Sequence, residues 1–190
     1  MDPRFSSAVF LILSCWLWNA ECRTYNQILT VTNGGGFGKW GDVEMCDKGF
    51  ASGFILKFQP YHGWFSDDSS LTGIRLYCEF GTTIESTVSE IGDWGTLFKC
   101  SRGYLISFSL QVAKYGERID ETSANNIKFT CQDRKVLETY SPTDWGEYGP
   151  RSESCDDGAI CGLRTRVEAY KNSYTFDNTG LNNVIFYCCK

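Results

Sequence analysis

The chain has 190 residues and a formal net charge of −5, from 18 Lys and Arg residues against 23 Asp and Glu residues. Nucleic acids and anionic membranes need a basic face, so this balance argues against both as partners and leaves basic proteins compatible. The length predicts one ordinary domain with a core large enough to fold alone.

The N-terminal segment reads as a secretory signal peptide. Arg4 precedes an apolar run of 11 residues, Ala8 to Trp18, which is too short to span a bilayer. Small residues follow in Ala20-Glu-Cys22, so we expect cleavage after Cys22, a signal peptide over 1–22 and a mature, secreted domain over 23–190. The alternative is a buried N-terminal strand. No later segment reaches 18 consecutive apolar residues, so we expect no membrane insertion.

The cysteines predict a disulfide framework. Ten are present, and eight remain after the expected cleavage. No C-x-x-C motif occurs and His62 is the single histidine, so we expect neither a metal nor a cofactor. The eight cysteines are Cys46, Cys78, Cys100, Cys131, Cys155, Cys161, Cys188 and Cys189.

A triple repeat organises the mature chain. A Trp-Gly pair occurs at 40–41, 94–95 and 145–146, and a cysteine follows each tryptophan after six, six and ten residues. Each copy continues with an alternating apolar stretch, an acidic turn and a second alternating stretch that ends in cysteine. The three units cover about 34–81, 90–133 and 142–190.

The first unit opens with GGGFGKWG (34–41), which contains the G-x-G-x-x-G pattern of dinucleotide-binding turns. Its counterparts, IGDWG (91–95) and TDWGEYG (143–149), lack that pattern, and short strands rather than a helix follow it. We therefore expect these glycines to serve a tight corner, through positive φ or close backbone approach, and not a nucleotide.

Period-two alternation and frequent turn residues predict an all-β protein of short antiparallel strands. Three copies predict three sheets around one core with pseudo-threefold symmetry, each copy folding as a sheet. The repeat favours disulfides within a unit: Cys46–Cys78, Cys100–Cys131, and Cys155 with either Cys188 or Cys189, leaving Cys161 to bond the other.

Together the three repeats and the Cys188-Cys189 pair resemble the vitelline membrane outer layer protein I family over residues 28–190. The resemblance implies a β-prism of three four-stranded sheets, secretion and a place in an extracellular coat. It also implies a link to carbohydrate, because transfer of N-acetyl sugars is attributed to the founding member. The acidic turns differ between units, with Asp68, Glu121 and Asn178 at the second position, so any sugar site need not be repeated three times.

Two groups of residues are candidates for carbohydrate binding. Paired carboxyl groups are the machinery of glycoside chemistry, although an Asp in a turn also bonds its own backbone, which is the structural alternative. The aromatic loop PYHGWF (60–65) lies outside the repeat and offers a second surface. The candidates are Asp67, Asp68, Asp120, Glu121, Asp177, Tyr61 and Trp64, with no residue assigned to catalysis.

The tryptophans of the repeat are predicted to be packing anchors, with sugar stacking as the alternative. Three functions remain open: a non-catalytic building block or binding surface of an extracellular coat or mucus, a lectin-like module, and a glycosyl-transferring enzyme. We favour the first, with coat or mucus proteins as partners and glycans as a further class, because the recurring residues have structural explanations.

Overall fold

A computed structural model describes residues 23–59, 71–113, 124–142, 145–169 and 179–190. Within these ranges the chain forms strands and turns. The strands in chain order are β1 (Gln27–Leu29), β2 (Lys39–Trp40), β3 (Glu44–Met45), β4 (Ala51–Phe58), β5 (Leu71–Cys78), β6 (Thr83–Glu85), β7 (Asp93–Trp94), β8 (Phe98–Lys99), β9 (Leu105–Val112), β10 (Ala124–Cys131), β11 (Val136–Glu138), β12 (Glu147–Tyr148), β13 (Ala159–Val167) and β14 (Leu181–Cys189).

The strands form three antiparallel sheets, as the alternation predicts. Sheet I has the order β6-β5-β4-β7, with β8 also paired to β4; sheet II has the order β11-β10-β9-β12. Sheet III has the order β1-β14-β13-β2, with β3 also paired to β13, so it joins the two ends of the described chain. Each sheet is built around one long hairpin: β4–β5, β9–β10 or β13–β14.

The prediction that each repeat folds as its own sheet is wrong. The first strands of each unit pair with the long hairpin of another unit: β7 and β8 of unit two with β4, β12 of unit three with β9, and β2 and β3 of unit one with β13. Each sheet therefore takes its edge from the next repeat along the chain, and the first repeat closes the ring on the third. This exchange ties the three sheets together through the backbone.

Tyr148, and not Trp145, is the counterpart of Trp40 and Trp94. In the register, Trp40 lies opposite Arg166, Trp94 opposite Lys57 and Tyr148 opposite Gln111, which are corresponding positions of the three long hairpins. The shared motif is G-x-[WY]-G at 38–41, 92–95 and 146–149. With this alignment the cysteine follows the aromatic residue after six, six and seven residues, which removes the anomalous spacing of the third unit.

The first glycine of this motif has the structural role expected from the sequence. Gly38, Gly92 and Gly146 have φ values of 76°, 93° and 77°. A Cβ at Gly38 would lie 2.3 Å from the backbone carbonyl of Val167, and Gly146 approaches the carbonyl of Val112 as closely. The glycines thus permit positive φ and let the edge strand approach the end of a long strand.

Four disulfides join Cys46 to Cys78, Cys100 to Cys131, Cys155 to Cys188 and Cys161 to Cys189, all within a sequence unit as the repeat predicts. Because the units exchange edges, the first three connect different sheets. The backbone N–H groups of Cys46, Cys100 and Cys155 donate hydrogen bonds to carbonyl oxygens of sheets III, I and II, respectively. Their disulfide partners lie at or next to the ends of long strands in sheets I, II and III. These three disulfides close the ring covalently, and Cys161–Cys189 lies inside sheet III.

The core lies where the three sheets face each other. Corresponding cross-strand pairs, Phe54–Leu76, Phe108–Phe129 and Leu163–Phe186, supply one layer of six buried side chains. The ring centroids of Phe108 and Phe186 are 4.8 Å apart and those of Phe129 and Phe186 are 5.2 Å apart, both edge to face. Such aromatic contacts at the centre add to the area buried by the three alternating hairpins.

Candidate functional site

The candidate residues for carbohydrate binding from the sequence fall in segments outside the described residues. Segments 60–70, 114–123 and 170–178 each connect the two long strands of one hairpin. The roles of these residues therefore stay predictions. The residues concerned are Asp67, Asp68, Asp120, Glu121, Asp177, Tyr61, Trp64 and the neighbouring His62.

The described residues enclose a groove at the junction of sheets I and III. Its volume is about 770 Å³, and three separate stretches line it: 38–40, 87–90 and 167–169. The last stretch ends immediately before segment 170–178, which contains the predicted candidate Asp177. A concavity of this size lies in the range that small-molecule sites occupy.

Buried hydrogen bonds fix the wall formed by 87–90. The ammonium group of Lys57, a residue only 8 % exposed, donates to the carbonyl oxygens of Ser89 (2.7 Å) and Glu90 (3.2 Å). The backbone N–H of Ser89 donates to the carbonyl of Thr72 at 2.9 Å. The side chain of Lys57 thus fixes the backbone of this wall. The two carbonyl acceptors offset the free-energy cost of burying the ammonium charge.

Thr165 holds the same wall from the opposite sheet. Its hydroxyl donates to the carbonyl oxygen of Thr87, and its side chain is fully buried. The corresponding core positions in the other two sheets are Leu56 and Leu110, which are apolar. In the sequence, Thr165 is the single threonine among the inward-facing positions of the three alternating stretches. The sequence alone gives this threonine no role.

Two arginines fix the wall that carries Trp40. The Nε of Arg166 donates to the carbonyl of Gly38 at 3.2 Å, and the Nε of Arg164 donates to the carbonyl of Gly41 at 2.7 Å. The guanidinium carbon of Arg164 is 5.6 Å from the centroid of the Trp40 ring. The groove is therefore held in shape on both sides by side chains of the long hairpins, so a ligand would meet a largely preformed surface.

The groove is amphipathic and nearly balanced in charge. Trp40 and the valines at 88 and 167 supply apolar surface, whereas Lys39, Glu90 and Glu168 supply charged groups. One carboxylate oxygen of Glu168 accepts a hydrogen bond from the hydroxyl of Thr179 at 2.8 Å. A binding surface with an aromatic ring, aliphatic edges and a few polar groups is typical of small-ligand sites.

The aromatic residues of the G-x-[WY]-G motif lie half-buried on the outer faces of the sheets, each near a cation. On sheet I the guanidinium carbon of Arg75 is 4.0 Å from the Trp94 centroid, and Nη2 of Arg75 forms an ion pair of 2.8 Å with Glu85. On sheet II the Lys128 ammonium is 3.9 Å from the Tyr148 centroid. These contacts support the packing role predicted for Trp94.

The surroundings of Tyr148 shift the pKa of its phenol. Burial raises the pKa of its phenol well above its ordinary value, and the carboxylate of Glu138 raises this pKa further. The neutral phenol is consequently favoured in the folded state.

Solved structures with this arrangement define the class of the protein. Artocarpin, from the "crystal structure of artocarpin-mannotriose complex", has a TM-score of 0.55 at 12% identity and covers 88% of this chain and 99% of its own. Frutapin, a lectin from Artocarpus incisa, has a TM-score of 0.53 at 14% identity with the same coverage, and single-chain jacalin has a TM-score of 0.53 at 14% identity, covering 90% of this chain and 99% of its own. These likenesses establish the fold as a jacalin-like β-prism.

Sequence similarity identifies the family. The pattern of the vitelline membrane outer layer protein I family matches residues 27–190. The vitelline membrane outer layer protein 1 homologs of Homo sapiens and Mus musculus are 38% and 39% identical to this chain, each over 87% of it and 84% of their own length. The chain belongs to the vitelline membrane outer layer protein I family, as the repeat and the paired C-terminal cysteines indicate. In the part of the chain that the structure describes, no helix is long and apolar enough to cross a membrane.

Proposed function

We propose that this protein is a secreted, non-catalytic building block and binding protein of an extracellular coat or secretion. The observation that carries the proposal is the ring of three disulfides between sheets, closed by Cys46–Cys78, Cys100–Cys131 and Cys155–Cys188. Disulfides persist in oxidising, extracellular compartments, and a covalently closed prism suits a component that must endure there. Membership of a family named for an outer egg layer supports the same role.

The proposal includes export with removal of residues 1–22. Arg23, the first residue after the expected cut, packs against the prism: its Nη1 donates to the carbonyl of Cys46 at 2.7 Å, and its guanidinium lies 5.7 Å from the Phe50 ring centroid. N-terminal sequencing of protein from culture medium is expected to begin at Arg23. Retention of the intact chain inside the cells would contradict export.

As partners we propose proteins of the coat or mucus in which the chain resides, through its mildly acidic surface. The test is fractionation of the native secretion, followed by cross-linking of the washed insoluble material. Recovery of the oxidised protein in that fraction, released by salt from an untreated portion and cross-linked to basic components in a second portion, supports the proposal. Recovery of the protein entirely in the soluble fraction, uncross-linked, contradicts the building-block role.

Glycan binding is the second candidate, and the preformed groove beside Trp40 favours it. Artocarpin, which shares the fold, is described in complex with mannotriose. The test is an array of neutral oligosaccharides probed with the mature, oxidised protein. Saturable binding without turnover supports a lectin-like module. If the protein releases or transfers sugars from chitooligosaccharides, and Asp120→Asn or Asp67→Asn abolishes this activity, the enzyme hypothesis would replace the lectin-like module.

A further inference from the structure

The three sheets differ in how they cover the aromatic residue of the G-x-[WY]-G motif. On sheets I and II the covering cation comes from the second long strand, where Arg75 and Lys128 hold corresponding positions. Each cation also faces an acid on the short edge strand, because Arg75 lies opposite Glu85 and Lys128 lies opposite Glu138. On sheet I the acid and the cation form an ion pair of 2.8 Å, and on sheet II they are cross-strand neighbours, so a cation with an acid opposite it covers the aromatic ring on both sheets.

Sheet III breaks this pattern at Trp40. The corresponding position of its second long strand is Ile185, which lies opposite Arg164. β1 ends at Leu29, opposite Phe186, and Thr30 is the residue that follows on the Ile185 side of this pair. The cation near Trp40 is Arg164, on the first long strand, at 5.6 Å instead of about 4 Å, and its Nε is occupied by the Gly41 carbonyl. The register position that holds the covering cation on sheets I and II is therefore aliphatic on sheet III.

We propose that Trp40 is the stacking platform for one pyranose ring of a neutral oligosaccharide bound in the groove, and that the chain has one such site. This inference rests on the glycan-binding candidate above and assigns its central residue. Trp94 and Tyr148 do not provide equivalent platforms, because Arg75 and Lys128 already occupy the faces of their rings.

The chemistry of the groove matches a neutral sugar. A pyranose has a face of C–H groups, which packs against the electron-rich face of an indole, and a rim of hydroxyl groups, which bond carboxylates, hydroxyls and backbone carbonyls. Trp40 with Val88 and Val167 offers the apolar surface, and the carboxylate of Glu90 and the ammonium of Lys39 offer polar contacts at the rim. An anionic ligand would meet a chain of net charge −5, which disfavours it.

The experiment compares matched variants of the whole mature protein. Wild type is first screened on an array of neutral oligosaccharides that includes mannotriose and chitotriose, and the strongest-binding array member is then titrated by calorimetry. Trp40→Ala removes the platform, and Trp94→Ala removes the equivalent ring of sheet I as a control for the loss of a half-buried aromatic residue. A third variant, Thr30→Glu with Ile185→Arg, keeps Trp40 but installs the acid–cation pair found on sheet I.

We expect Trp40→Ala and the Thr30→Glu/Ile185→Arg variant to weaken binding about tenfold or more, and Trp94→Ala to change it less than about twofold. Thermal unfolding of each variant identifies any that fails to fold, and the installed pair tests the proposal without removing the tryptophan. If Trp40→Ala and Thr30→Glu/Ile185→Arg both bind as tightly as the wild type, the proposed role of Trp40 is overturned while glycan binding by the protein stands. Absence of binding by the wild type to the whole array would overturn both.

Discussion

Removal of Cys46–Cys78 tests whether the disulfides hold the ring of sheets closed. This bond joins residues 32 apart, so the loop-entropy relation assigns it about 3.7 kcal/mol of unfolding free energy at 25 °C. For a domain of this length that corresponds to a fall in Tm of about 7–15 °C. The change is the double substitution Cys46→Ala/Cys78→Ala, which leaves no unpaired thiol.

The structure adds a local effect to this global one. Cys46 follows β3 in sheet III, whereas Cys78 ends β5 in sheet I, so the bond fixes the end of the N-terminal segment against β5. Without it, residues 27–46 are held by the short pairings of β1, β2 and β3 and by the arginine hydrogen bonds to Gly38 and Gly41. Short edge strands open at lower free energy than long central strands, so these residues should exchange their amide hydrogens by local opening.

The matched control is Cys100→Ala/Cys131→Ala, whose loop of 31 residues carries nearly the same entropy but joins sheets I and II. Urea unfolding is expected to give similar losses for both variants. Hydrogen exchange should show extra opening of 27–46 in the Cys46/Cys78 variant and not in the control. A loss below about 1 kcal/mol, or equal exchange of this segment in both variants, would refute the reasoning.

Three further predictions concern single positions. Gly38→Ala should lower the free energy of unfolding, measured in urea, by about 2 kcal/mol or more, because φ is 76° and the new Cβ would meet the Val167 carbonyl. The control is Gly36→Ala, where a Cβ would have nothing within 4 Å and the free energy should change by less than about 0.5 kcal/mol. Equal effects of the two substitutions would contradict this account. Thr165→Val should change it by less than about 1 kcal/mol, because loss of the hydrogen bond to Thr87 is offset by apolar burial, and a loss above about 2 kcal/mol would show a larger structural role. The raised pKa of Tyr148 contributes stability that is fully present below about pH 10 and is lost as pH rises toward the folded pKa. The fall in Tm between about pH 8 and 11 should therefore be smaller in Tyr148→Phe than in wild type. An identical pH dependence of Tm in the two proteins would contradict this prediction.

Local chemistry explains why the sequence predicted so much of the fold. Alternation places Phe54, Leu56 and their counterparts on one face of a strand whatever the partner strand is, and the structure buries these faces together. Cysteine spacing likewise indicates pairing within a unit, because the first and last cysteines of the three units recur at nearly equal separations of 32, 31 and 33 residues.

The candidate site was less predictable. Its walls come from 38–40, 87–90 and 167–169, which are distant in sequence and meet only because the ring of sheets closes. Thr165 was recognisable as the polar residue of its alternating stretch, but its hydrogen-bond acceptor, Thr87, lies 78 residues away. No local pattern relates two such positions.

By itself, the sequence determined an all-β chain of three repeats with its inward faces and its disulfide units, since these depend on side-chain periodicity and spacing along the chain. Only the tertiary structure decided which hairpin each edge strand joins, that Tyr148 and not Trp145 completes the motif, and that the disulfides connect different sheets. The physical reason is that a short edge strand offers the same backbone hydrogen bonds to any hairpin. Its partner is selected by closure of the whole ring around the shared core.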